Sequence, residues 1–134
     1  MTLRPESLRG HRANAAPGQV DYRLIRKHTV DEFHRGRLSR IDVCDAQAEL
    51  MRAAVNCGRA SRELCPICQE GQVVLVSFAF GPRLPAHGRC ITSANELDKL
   101  GRRANELACY VVEVCPSCAW NHLVRSFPVG GARS

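Results

Sequence analysis

The chain is poor in aromatic residues, almost devoid of lysine and free of long apolar runs. Aromatics make up 5% of its 134 residues, with one tryptophan, two tyrosines and four phenylalanines. That is too few for the stacking platforms that hold single-stranded nucleic acid. No run of about 18 apolar residues exists, which excludes a helical membrane span. Residues 1–18 carry four charges among small and polar side chains. No secretory leader is expected from them. Paired carboxylates for acid–base work are missing, as are a Ser-His-Asp pattern, a phosphate loop and a dinucleotide fingerprint. These gaps remove the commonest hydrolytic and nucleotide-dependent chemistries. A chain of this length forms one domain with a modest core.

Cysteine, by contrast, is plentiful: there are eight. Four of them form Cys65-Pro66-Ile67-Cys68 and Cys115-Pro116-Ser117-Cys118, two knuckles with proline at the same inner position. Cysteines three apart can place both sulfurs on one ion, because the tight turn directs backbone N–H groups at the thiolates. Two such knuckles supply the four thiolates of a closed tetrahedral zinc site. We therefore expect one structural zinc held by Cys65, Cys68, Cys115 and Cys118. A redox dithiol would need Cys-x-x-Cys at a helix N-terminus, whereas Cys65 precedes a strand-like segment. All-thiolate ligation also leaves no position for an activated water. Without a leader, a disulfide scaffold is not expected, and a reducing cytoplasm is the expected location. Cys44, Cys57, Cys90 and Cys109 lack ligand-like spacing and read as small buried hydrophobes.

The net charge is +6, and arginine supplies 17 of the 19 basic residues. The charge is spread evenly, at about +2 for each of residues 1–20, 21–60 and 61–134. Such a balance permits an anionic partner without demanding one. Arg23, Arg26 and Lys27 gather on the first predicted helix, with Arg35, Arg37 and Arg40 at its exit. Asp31, Glu32 and Asp42 interleave with them, so a solvated face competes with phosphate contact.

Residues 1–20, with Pro5, Gly10, Pro17 and Gly18, read as a disordered tail. A helix is predicted over 21–37, with Asp21 as N-cap and Gly36 closing it. The segment 39–43 sends Leu38, Ile41 and Val43 toward a core. A further helix over 46–56 places Leu50, Ala54 and Cys57 on one stripe, with Gly58 at C′. These elements form a helical subdomain over residues 21–60. Val74, Val76, Phe78 and Phe80 alternate along a strand at 72–80. Residues 81–91 read as a loop. Ser93 and Glu96 form a capping box, and Leu97, Leu100, Ala104 and Leu107 follow at helical spacing. Strands are predicted at 108–114 and 123–127, and Gly130–Ser134 should fray. The predicted class is α+β: an antiparallel zinc-ribbon sheet of about three strands with an inserted helix, over residues 61–129.

Trp120, Asn121 and His122 follow the second knuckle. Trp120 reads as a lid on the metal, and Asn121 and His122 as partner contacts beside Arg23, Arg26 and Lys27. The run Tyr110-Val111-Val112-Glu113-Val114-Cys115-Pro116-Ser117-Cys118-Ala119-Trp120-Asn121-His122-Leu123 resembles a family of small actinobacterial proteins of unknown function. Asp42-Val43-Cys44-Asp45-Ala46, Leu50 and Cys65-Pro66-Ile67-Cys68 are similar to the same family, and the likeness covers residues 20–129. The resemblance implies an actinobacterial cytoplasmic protein and supports zinc ligation by the knuckles, but it implies no activity. Gln69 and Ala119 stand where many zinc knuckles carry glycine. The reading is a non-enzymatic zinc-binding adaptor that docks on a protein partner in the transcription or translation machinery, RNA polymerase or the ribosome, with nucleic acid as a further possible partner. The alternative is a thiol-based redox or metal sensor using Cys44, Cys57 or Cys109.

Overall fold

The structure, a computed structural model, describes residues 8–10, 18–103 and 106–129. The expectations for the rest of the tail, for Ala104 and for Gly130–Ser134 lie outside the described residues. Six strands form one antiparallel sheet: β1 (Val20–Asp21), β2 (Arg59–Leu64), β3 (Gln72–Phe80), β4 (Arg89–Ile91), β5 (Leu107–Val114) and β6 (Asn121–Val129). Their order is β1-β6-β5-β3-β2, and β4 pairs with β3 beyond the end of β2. Four helices accompany them: α1 (Arg23–His34), α2 (Arg40–Val43), α3 (Ala48–Cys57) and α4 (Ala94–Arg103). The class is α+β as expected, but the sheet has six described strands where about three were predicted. β3, β5 and β6 carry the alternating apolar pattern. β2 is almost wholly exposed and polar, while β1 and β4 are two and three residues long. None of those three has an alternation to read.

Local chemistry sets the helix ends. The Asp21 carboxylate accepts the Arg23 N–H at 2.9 Å, so it caps from one residue before Tyr22, the residue at the cap position. Gly36 sits at φ +80°, its N–H bonds to Phe33 O, and the Arg37 N–H bonds to Glu32 O. That is a Schellman closure, and it needs the left-handed residue that glycine supplies. The Ser93 hydroxyl accepts the Glu96 N–H at 3.1 Å, but the Glu96 carboxylate returns to Thr92 rather than to Ser93. Gly58 is extended at φ −71°, not left-handed as a C′ residue would be. Its lack of a side chain matters for another reason: a Cβ there would sit 2.3 Å from Ala54 O and 2.9 Å from Val74 Cγ2.

One core spans both the helices and the sheet. Val76, Phe78, Val112, Val114 and Leu123 from β3, β5 and β6 meet Tyr22, Leu50 and Ala54. Leu8 joins the same core at 2% exposure, and the Leu123 N–H donates to Arg9 O. Two expectations are corrected here. The helices share the sheet's core instead of forming a subdomain of their own, because the apolar stripe of α3 is only one face wide and needs the sheet to cover it. Leu8 and Val20 are packed parts of the fold rather than of a tail, since they bury apolar surface that a tail would leave in water. Ile41 is likewise corrected: it is 84% exposed, and Val43 alone of that segment's apolar pair turns fully inward. A second cluster of Val43, Cys65, Ile67, Val73, Cys115 and Trp120 surrounds the knuckles.

Candidate metal centre

Each knuckle is a closed turn built the same way. In the first, the Gln69 N–H donates to Cys65 O at 3.0 Å, and the Cys65 N–H to Gly71 O at 2.8 Å. In the second, the Ala119 N–H donates to Cys115 O at 2.9 Å, and the Cys115 N–H to Trp120 O at 2.8 Å. Proline fits the first inner position because its φ is preset and no N–H is called for there. Gln69 and Ala119 take φ of +57° and +74°. The positions where knuckles often carry glycine therefore keep the left-handed backbone with other residues in place. The N–H groups of Ile67 and Cys68 point at Cys65 Sγ, at 3.3 and 3.5 Å. Gly71 lets the knuckles close on each other: a Cβ there would lie 2.6 Å from Ser117 Oγ and 3.2 Å from Cys115 Sγ.

The four sulfurs of Cys65, Cys68, Cys115 and Cys118 all lie within 4.8 Å of one another. Two cross-knuckle pairs, Cys65–Cys118 and Cys68–Cys115, are each 3.7 Å apart. Cys65 and Cys115 are fully buried, whereas Cys68 and Cys118 are partly exposed. Burial pushes the Cys65 and Cys118 thiols up. At Cys68 burial pushes upward too, but the backbone N–H groups of Glu70 and Gly71, together with Cys115 and Cys65, outweigh it and bring the thiol down to about 7. Four thiolates in contact repel one another unless a cation lies between them, and these four could hold a metal ion.

Trp120 is fully buried against the cluster, as expected of a lid. Its indole Nε1–H donates to Glu113 Oε2 at 2.7 Å. Arg26 grips the same carboxylate from α1, Nε at 2.7 Å and Nη2 at 2.9 Å. Glu113 is 4% exposed and was not singled out from sequence. The signal was available: one carboxylate in the otherwise apolar run from Tyr110 to Val114.

Of the residues expected to touch a partner, Arg23 and Lys27 lie on the surface in ion pairs, whereas Arg26 is largely covered and Asn121 and His122 are buried. Arg26 is committed to Glu113, Arg23 to Asp21 at 2.7 Å, and Lys27 to Asp31 at 2.9 Å. Asn121 is 4% exposed and donates to Asp45 Oδ1 and Ala119 O. His122 is fully buried, stacks on Trp120 with ring centroids 5.8 Å apart, and places Nδ1 2.8 Å from Leu123 O. Burial holds its pKa below the usual imidazole value. Both side chains sit inside because β6 begins at Asn121, two residues earlier than the predicted strand, and carries them into the sheet.

Cys44, read from sequence as a packing residue, lies beside the centre. Its thiol points at Cys118 Sγ across 3.4 Å. The loop that holds it is docked on the second knuckle: the Ala46 N–H donates to Ala119 O at 3.1 Å, Asn121 holds Asp45, and Arg9 bonds Asp42 O and the Asp45 carboxylate. Cys109 is buried in β5, its thiol pushed up to about 11 by burial. Cys57 and Cys109 help line a groove of about 560 Å³ that carries Arg59 and Arg125 but neither a carboxylate nor a histidine. No helix among the described residues is long and apolar enough to cross a membrane.

Comparison with known proteins agrees with the sequence resemblance. The model of a family described as "Family of unknown function (DUF5318)" matches residues 14–134. Uncharacterised proteins of Mycobacterium tuberculosis and Mycobacterium bovis are each 46% identical over 114 residues, covering 85% of this chain and 83% of theirs. No solved structure matches.

Proposed function

We propose that this chain, which belongs to the DUF5318 family of unknown function, is a non-enzymatic adaptor built around one structural zinc ion. The observation that carries the reading is the four-sulfur cluster, with cross-knuckle spacings of 3.7 Å. Zinc–sulfur bonds of about 2.3 Å put neighbouring sulfurs of a tetrahedron about 3.8 Å apart. Two of the six pairs stand at that spacing and all lie within 4.8 Å, which suits a tetrahedral zinc. When bound, the ion supplies folding energy and neutralises the thiolates. Cys65, Cys68, Cys115 and Cys118 fill its coordination shell, so no protein-free position remains for a substrate. The knuckle turns, the Trp120 lid and the Glu113–Arg26 pair fix the ligands in place.

The docking role is the reading most in keeping with a closed metal site and a small basic fold, and a cytoplasmic macromolecular machine such as RNA polymerase or the ribosome is the proposed partner. The even spread of the positive charge, the low aromatic content and the withdrawal of Arg26 to Glu113 favour protein over nucleic acid as that partner. Asn121 and His122 are withdrawn as contacts, because buried side chains do not reach a partner.

Two measurements test this. Purified protein should contain about one zinc per chain, and Cys65→Ser or Cys115→Ser should lose it and unfold the sheet, because structural zinc is coupled to folding. Full zinc occupancy in the double variant would remove the metal assignment. Crosslinking of the zinc-loaded protein in cells, followed by mass spectrometry, should recover subunits of one machine reproducibly. Recovery of a small-molecule enzyme's usual neighbours alone, or of no stable partner, would remove the adaptor reading.

A further inference from the structure

We propose that Cys44 makes the metal centre responsive to peroxide, by forming a disulfide with Cys118 that expels the ion. The proposal rests on the reading of the four-cysteine cluster as a zinc site, and it assigns the fifth sulfur a role of its own. Cys44 lies outside the set of four mutually close sulfurs, yet it is in direct contact with one of them, 3.4 Å from Cys118 Sγ. The contact is not incidental to a floppy loop. Ala46, Asp45 and Asp42 tie the loop to the second knuckle and to Arg9 and Asn121, so the two sulfurs are held as neighbours. Cys118 and Cys44 are also on the accessible side of the centre, both partly exposed, whereas Cys65 and Cys115 are fully buried.

The chemistry balances with hydrogen peroxide as oxidant. The metal-bound Cys118 is a thiolate, the nucleophilic form of cysteine. Its sulfur attacks one peroxide oxygen; an S–O bond forms, the O–O bond breaks and hydroxide leaves. The resulting sulfenic acid is a reversible state that a second thiol can attack. The Cys44 sulfur then attacks the Cys118 sulfur: the S–S bond forms, the S–O bond breaks, and the departing hydroxide takes the Cys44 thiol proton as water. Two sulfurs lose two electrons in all, and one peroxide is reduced to water and hydroxide. Three thiolates remain, which no longer close a tetrahedral shell. Bridging requires the sulfurs to approach from 3.4 Å to about 2.05 Å, a movement small enough for side-chain rotation and a slight loop shift. A reductant reverses the bond and restores the ligand.

The test uses the full-length zinc-loaded chain, hydrogen peroxide, a chromogenic zinc chelator and peptide mass spectrometry. Wild type and Cys44→Ser should hold equal zinc before treatment, because Cys44 is not a ligand. After peroxide, wild type should release zinc and yield a peptide pair linked through Cys44 and Cys118; dithiothreitol should break the link and allow zinc to rebind. Cys44→Ser should release zinc at least about tenfold more slowly, and under continued peroxide its Cys118, with no resolving thiol beside it, should pass on to sulfinic acid, which dithiothreitol does not reverse. Cys90→Ser, altered in β4 away from the centre, should behave as wild type. Equal release and recovery in Cys44→Ser and wild type, or zinc release without the Cys44–Cys118 link, would overturn the inference while leaving the zinc site standing. Absence of zinc before any peroxide is added would overturn the metal reading, and this inference with it.

Discussion

Glu113 and Arg26 are the polar pair that the hydrophobic strand accommodates. Their side chains are 5% and 24% exposed, and the carboxylate takes two bonds from the guanidinium and one from Trp120. Truncating one partner of such a pair leaves the other charge short of water and of a counter-charge, which is where most of the cost arises. Arg26→Ala should therefore destabilise the zinc-loaded protein by about 2–3 kcal/mol, below the full-burial figure because Arg26 is partly solvated. Arg23→Ala, whose pair with Asp21 is exposed, should barely move the denaturation midpoint. Urea titration of both variants decides the matter, and equal effects would mean that Glu113 is satisfied without Arg26. From sequence, the three N-terminal cations were indistinguishable members of one basic face. What separates them is which one faces β5, and that is a tertiary fact.

At the level of elements, the knuckles were the most legible part of the chain and the short strands the least. The four-cysteine cluster could be read because Cys-Pro-x-Cys spacing is imposed locally by the turn. β3, β5, β6, α1, α3 and α4 were legible because burial on one face leaves a period in the sequence. β2 left none, since it is an exposed edge strand whose place is set by pairing with β3. Cys44 was one of three thiols offered for a sensor; what sets it apart from Cys57 and Cys109, its neighbour Cys118, is 74 residues away in sequence. The knuckles also carry an uncommon local choice. Gln69 and Ala119 hold φ of +57° and +74°, a conformation that costs a residue with a Cβ about 1–2 kcal/mol. Glycine removes that strain but loses about 0.5–1 kcal/mol more conformational freedom on folding. Gln69→Gly and Ala119→Gly should each stabilise the zinc-loaded protein, by up to about 1 kcal/mol. Chemical denaturation at fixed free zinc measures it, and a loss of stability in both would show that the side chains contribute packing that outweighs the strain.

Considered whole, the molecule is a sheet that carries two apolar clusters, one shared with the helices and one around the four cysteines. Tyr22, Leu50 and Ala54 from the helical half lie in the same cluster as Val76, Val112 and Leu123 from the sheet. Trp120 then links that sheet to the sulfur cluster through Cys115 and Cys65. A fold arranged so should unfold as a unit, with helices and metal centre lost together. Leu8 provides the sharpest test, because it enters this interior from the segment that composition marks as a tail. It is 2% exposed, among Tyr22, Leu50 and Leu123, and its neighbour Arg9 accepts the Leu123 N–H and bonds Asn121 O at 3.1 Å. Replacing a buried leucine by alanine removes about 2–5 kcal/mol, the lower end applying where the surroundings can close the gap. Leu8 comes from a short described segment, residues 8–10, rather than from a helix or strand, so Leu8→Ala should cost about 2–3 kcal/mol, the lower end of that range. Far-ultraviolet circular dichroism and zinc release should shift together, since β3 runs through both clusters. An unchanged midpoint would mean that residues 8–10 are not part of the cooperative fold. A shift in the helical signal alone would mean that the helices and the metal-bearing sheet unfold separately, as two subdomains would.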